Sequence, residues 1–213
     1  LSPIGHNQQH NPEPAAGFNR PEHLNGETTM NATTNNPTPR VYVACLSAYN
    51  SGRLHGRWID ANQDADTIRD QVAEMLAASP DYDGSDEWAI HDHEGLGAIG
   101  ESESFDRVAA IGQAVAAAGG DAAALLAWLG NEPGRDPDDF ADVFRGEWYT
   151  LADYVENLWD ELGHNQDADK AASGQWWHPA HYVDWDRMAR DLELSGDVEA
   201  IRGPSGVYVF ANQ

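Results

Sequence analysis

Lysine is almost missing from this chain. Lys170 is the only one, and the other eleven basic residues are arginines. Against these 12 bases stand 36 aspartates and glutamates, leaving a formal net charge of −24. Such a chain repels nucleic acid and anionic membranes and attracts basic partners. Salt adaptation or a GC-rich genome produces acidic, lysine-poor chains too, so composition alone does not name a partner. Cysteine is equally scarce. Cys45 stands alone, no intramolecular disulfide can form, and its place between Ala44 and Leu46 reads as a packed thiol. No apolar run approaches the roughly 20 residues of a membrane helix. The start lacks a basic-then-apolar secretory pattern, and the cytoplasm is the expected compartment. No G-x-S-x-G marks a nucleophile, and no internal repeat stands out.

What remains, 41% hydrophobic and 23% charged over 213 residues, suits globular structure. Residues 1–39, rich in Asn, Pro, Thr and His, bury too little to offset ordering entropy and read as a disordered tail. The tail's His6, His10 and His23 are too scattered to suggest a metal site. A first unit, 40–99, opens with RVYVACLSAYNSGRLHGRWID, two β-rich runs joined through Asn50-Ser51-Gly52. In the second run Leu54, Gly56 and Trp58 alternate with His55, Arg57 and Ile59. A helix follows over 64–79, burying Ile68, Val72 and Met75, with Asp64 or Asp66 as cap. Trp88 to Glu94 returns as a strand with Trp88, Ile90 and Asp92 on one side.

A second unit, 100–137, is helical, with one helix from Phe105 ending at Gly119-Gly120. Asp121 is placed to cap the next helix, which buries Leu125, Trp128 and Leu129. In the third unit, 138–213, Leu151, Tyr154, Val155, Leu158, Trp159 and Leu162 mark an amphipathic helix. Another helix spans about 184–194, with Trp185, Met188, Ala189 and Leu192 inward. A closing hairpin joins 198–202 to 207–211. The four segments carry −2, −7, −4 and −11, so the acidity lies outside the tail. The expected class is α+β, elongated, with three small units in series.

Two motifs suggest chemistry and both are weak. Gly95-Leu96-Gly97-Ala98-Ile99-Gly100 matches a dinucleotide fingerprint, but Glu101 and Glu103 place carboxylates where pyrophosphate would sit. His91 and His93, two apart on a strand, share a face and with His55 or Glu94 form a possible zinc set. No cysteine cluster or HExxH supports it. Neither a cofactor nor a metal is expected.

Five stretches in order carry a family resemblance. They are Arg40–Asp60, EWAIHDHEG from Glu87, RGEWYTLADYVENL from Arg145, YVDWDRMARDLELSGD from Tyr182, and the closing VYVF from Val207. Over roughly Pro39 to Ala211 the chain resembles the ArdA antirestriction proteins. The resemblance implies an elongated, dimeric mimic of DNA that occupies the DNA-binding groove of type I restriction-modification enzymes. It also implies carriage by a mobile element, three units in a row and no catalytic residue. The stretch AASGQWWHPAH before Tyr182 departs from the family pattern, with tryptophans where acidic or leucine-rich residues are usual. Trp176, Trp177 and Tyr182 are therefore candidates for a dimer contact, or alternatively for the third unit's own core.

The carboxylates themselves are the leading functional candidates. Duplex DNA carries one charge per roughly 1.7 Å, so 24 charges match roughly 40 Å, about twelve base pairs. Acids three or four apart on a helix recur every 4.5–6 Å, close to the phosphate repeat along one strand. The phosphate substitutes singled out are Asp66, Asp70, Glu74, Asp92, Glu94, Asp153, Glu156, Asp160, Asp184 and Asp186. Two other readings stay open. One is an acidic chaperone for basic DNA-associated proteins, and the other is a small metallohydrolase built on His55, His91 and His93.

Overall fold

The computed structural model describes residues 38–212 apart from 82, 83 and 85. The tail expectation, including its three histidines, lies outside the described residues but for 38 and 39. The fold is α+β, as expected, with two three-stranded antiparallel sheets and helices packed on them.

Strands β1 (Arg40–Cys45) and β2 (Gly56–Asp60) pair antiparallel, Val41 opposite Ile59 and Tyr42 opposite Trp58. The connection is longer than a tight turn. Residues 46–50 wind into α1 (Leu46–Asn50), and Gly52 at φ +77° reverses the chain. Leu54 consequently falls outside the strand and is exposed. Strand β3 (Trp88–Glu94) pairs with the other edge of β1. Its register slips at His91, because Tyr42 faces Asp92 while Val43 faces Ile90. That bulge overturns two expectations. Asp92 leaves the side of Trp88 and Ile90, and His91 and His93 no longer share a face by simple alternation.

The Val41–Val43–Cys45 face meets α2 (Ala65–Ala77), whose Ile68, Val72, Met75 and Leu76 are buried. Asp64 is the cap, accepting from the Thr67 amide at 2.8 Å. Helix α3 (Phe105–Ala118) starts at Ser104, which caps the Arg107 amide, and Phe105 stacks on Trp88. A 3-10 turn at 119–121 leads to α4 (Ala122–Asn131), where Asp121 makes no side-chain capping bond, against expectation. Leu125 and Trp128 are buried but Leu129 only partly.

The expectation of no membrane-length apolar segment needs correction. Phe105–Asn131 runs 27 helical residues of mean hydropathy 1.4 in its most apolar window. Gly119, at φ +54°, breaks it into α3 and α4, which pack on each other and on the first sheet's core. Its apolar side is thereby spent inside the protein.

A 3-10 turn (Pro137–Asp139), the short α5 (Phe140–Val143) and strand β4 (Phe144–Trp148) follow. None was expected from sequence. β4 lacks β-branched residues and is interrupted by a bulge at Gly146, φ +101°. Helix α6 (Leu151–Glu161) begins with a capping box, Thr150 and Asp153 each accepting from the other's backbone N–H. Residues 164–172, to which the sequence reading assigns no element, form α7 (His164–Ala172), a polar helix burying only Ala168. Helix α8 (Trp185–Ser195) is capped by Asp184. Strands β5 (Val198–Arg202) and β6 (Val207–Ala211) form the expected hairpin, and β6 lies between β4 and β5.

Strand β6 serves two cores. Tyr208 and Phe210 join Leu125, Trp128 and Phe140 on one face. Val209 and Val207 join Tyr154, Val155, Ala189 and Val198 on the other, beneath α6 and α8.

Candidate functional site

Strand alternation and helix period set where the acidic side chains stand. Asp66, Asp70 and Glu74 line the solvent side of α2, opposite Ile68 and Val72. Asp92 and Glu94, opposite Tyr42 and Arg40, lie on the sheet face turned away from α2. Asp153, Glu156 and Asp160 on α6 and Asp184 and Asp186 at the start of α8 share one packed helix pair. The fold therefore divides the ten candidates among three surfaces. All are exposed except the half-buried Glu94.

Several of these carboxylates already have work within the fold. Arg40 donates to both oxygens of Glu94, at 2.9 and 3.0 Å, and stacks over Trp58 at 4.5 Å. The Arg40 guanidinium holds the Glu94 carboxyl below its ordinary range. Asp66 binds Arg69 at 2.6 Å, and Glu74 meets Arg57 at 3.4 Å. Asp153 completes the capping box of α6 by accepting from the Thr150 amide, Asp184 caps α8, Asp92 accepts from the His93 amide, and Asp160 from Asn165. Asp70, Glu156 and Asp186 carry no cation among the described residues. Outside the ten, Asp64 is held below its usual range by Thr67, through its hydroxyl and its amide, and Asp167 by Lys170.

Further exposed acids not singled out from sequence cluster at Asp138, Asp139 and Asp142, on the turn and short helix before β4. The run Asp136-Pro-Asp-Asp was the available signal, since Pro at the first position of a helical turn is favoured there and places the acids after it in that turn.

The histidines are dispersed by the fold. His55 Nε2 sits 2.7 Å from the Met75 carbonyl, and His91 packs edge-on against Tyr49 at 4.8 Å. Among the described residues no group of three or more His, Cys, Asp or Glu is placed to hold a metal ion. In the glycine-rich loop, Gly95 and Gly97 turn the chain with positive φ. Residues 101–104 then separate the loop from α3, and Glu103 accepts from the Ser104 amide. Cys45 is 1% exposed. Burial pushes its thiol up, but Ser47, Ser79 and the backbone at Ala48 and Ser47 outweigh burial and draw it down.

Trp176 is 90% exposed, Tyr182 71% and Trp177 40%, with the Trp177 and Tyr182 rings 6.5 Å apart. The core beneath α6 and α8 is built without them. His178 anchors this segment to α7 through Asp169 at 2.9 Å.

No curated protein matches the chain significantly. A family model described as antirestriction protein (ArdA) matches residues 41–205, from β1 to the turn between β5 and β6. The match takes in every helix of the described residues and five of their six strands, stopping short of β6, so the chain belongs to the ArdA antirestriction protein family.

Proposed function

We propose that the chain is a non-enzymatic DNA mimic that occupies the DNA-binding groove of a type I restriction-modification enzyme and so protects incoming mobile-element DNA. It acts in the cytoplasm as a homodimer and needs no cofactor. The observation that carries this reading is the set of acids held on ordered elements with no neutralising partner among the described residues, Asp70 on α2, Glu156 on α6 and Asp186 on α8. Fixed on helices, such charges lose little entropy on meeting the lysines and arginines that grip DNA phosphates. The remaining candidates, Asp66, Glu74, Asp92, Glu94, Asp153, Asp160 and Asp184, add to the same field while serving the fold. Trp176, Trp177 and Tyr182 supply an exposed aromatic surface suited to the dimer contact.

The test is competition. A type I restriction-modification enzyme is incubated with its DNA and rising amounts of this protein, at low and high salt. Near-stoichiometric displacement, relieved by salt, supports mimicry. An enzyme that binds its DNA normally and is not displaced refutes it. Sedimentation of a Trp176→Ala/Trp177→Ala variant tests the dimer contact, which a persisting dimer would exclude.

A further inference from the structure

We propose that the groove between the end of α3 and the α5–β4 segment receives an arginine side chain of the partner protein. The groove measures about 420 Å³, within the usual range of ligand-holding pockets. Its walls are the methyls of Ala114 and Ala118 and the stacked rings of Phe140 and Phe144, whose centroids are 4.8 Å apart. Asp121 and Asp138 stand at its border, both exposed and neither paired with a cation among the described residues.

Three features select a planar cation with an apolar stem. The alanine and phenylalanine walls suit methylenes and the face of a guanidinium. The two carboxylates present acceptors for its N–H groups. No basic residue stands in the last turn of α3, so none of its own side chains competes for the two carboxylates. The charge on Asp121 reaches the buried Tyr208, whose hydroxyl is pushed up first by burial and then by Glu147 and Asp121. A neutral or anionic side chain would leave both carboxylates desolvated and unpaired.

The assignment of the arginine to the restriction enzyme rests on the DNA-mimic reading. The groove's chemistry is tested separately, on the full chain labelled with ¹⁵N, using Nα-acetyl-arginine methylamide and its citrulline counterpart as probes. Saturable shifts at the Ala118, Asp121 and Phe140 amides are expected for arginine. Citrulline, and arginine with Asp121→Asn/Asp138→Asn, should bind about ten-fold more weakly. No saturable shift, or equal binding of citrulline, overturns the proposal whatever the enzyme does.

The second arm fills the groove with Ala141→Trp, which leaves the charge unchanged. Where the wild type binds the enzyme, this variant should lose about ten-fold in affinity. Asp121→Asn/Asp138→Asn should lose more than Asp70→Asn/Glu156→Gln, which removes the same charge elsewhere and keeps a test available if the tryptophan variant fails to fold. Equal losses from the two double variants would overturn the partner assignment.

Discussion

Arg135 donates to Glu199 on β5 at 2.8 Å, and its other Nη donates to the Trp128 carbonyl at 2.8 Å while the guanidinium covers the Trp128 ring. Asn131 donates to the same carboxylate. The pair is mostly shielded, with side chains 14% and 20% exposed. It latches the end of α4 to the second sheet, on the face where Phe210 enters the first core. Arg135→Ala leaves Glu199 with the Asn131 amide but no counter-charge and uncovers Trp128, so a cost of about 2 kcal/mol is expected in urea unfolding. Arg202→Ala, exposed on the same strand, should stay within about 0.5 kcal/mol. Equal effects would show that the latch contributes nothing.

Gly112 and Gly130 make a matched pair of helix glycines with opposite expectations. A Cβ at 112 would sit 2.3 Å from the Ala61 carbonyl oxygen, whereas one at 130 meets nothing within 4 Å. Gly112→Ala must push α3 off the first sheet and should lower stability by about 1–3 kcal/mol. Gly130→Ala should raise it by up to about 1 kcal/mol through helix propensity. Thermal unfolding of both variants decides whether close approach at Ala61 is the reason for glycine.

Mimicry by many carboxylates predicts small single effects and a large collective one. Asp70→Asn, Glu156→Gln and Asp186→Asn should each change affinity for the enzyme by less than about three-fold at physiological salt. Combined as Asp70→Lys/Glu156→Lys/Asp186→Lys, they reverse charge on three helices and should weaken binding by about a hundred-fold or more, with a shallower salt dependence. Unchanged affinity in the triple variant would count against the DNA-mimic reading.

The Arg40–Glu94 pair sets a pH dependence of known sign. Glu94 has a folded pKa below its unfolded value, so its contribution is present above the ordinary carboxylate range. It is lost as pH falls through the depressed folded value. Glu94→Gln should therefore reduce stability at pH 7 and leave a smaller difference from wild type near pH 3, read as urea midpoints across that span. A constant difference at all pH values would assign the loss to packing against Arg40 and Trp58 rather than to charge.

Much of this protein was legible locally. Helices α2, α3, α6 and α8 carry apolar residues at helical spacing with Asp64, Ser104, Thr150 and Asp184 at their starts, and β5–β6 alternate about a four-residue turn. Period and caps act within a few residues, so sequence alone determined these elements, and with them which carboxylates face solvent. Residues 164–172 escaped because a short polar helix whose only apolar residues are alanines leaves little period to read, and β4 because its pairing comes from β6, some sixty residues away. The bulge at His91 could not be read either, since only the register against β1 shows it, and it decided that Asp92 and Glu94 look away from α2. The placement of β6 between two cores, the latch at Arg135 and the groove beside Asp121 likewise arise from contacts between distant segments. Local spacing therefore determined which side chains are charged and outward, and tertiary packing decided which surfaces they share, because a side chain's neighbours are set by segments its own spacing cannot see.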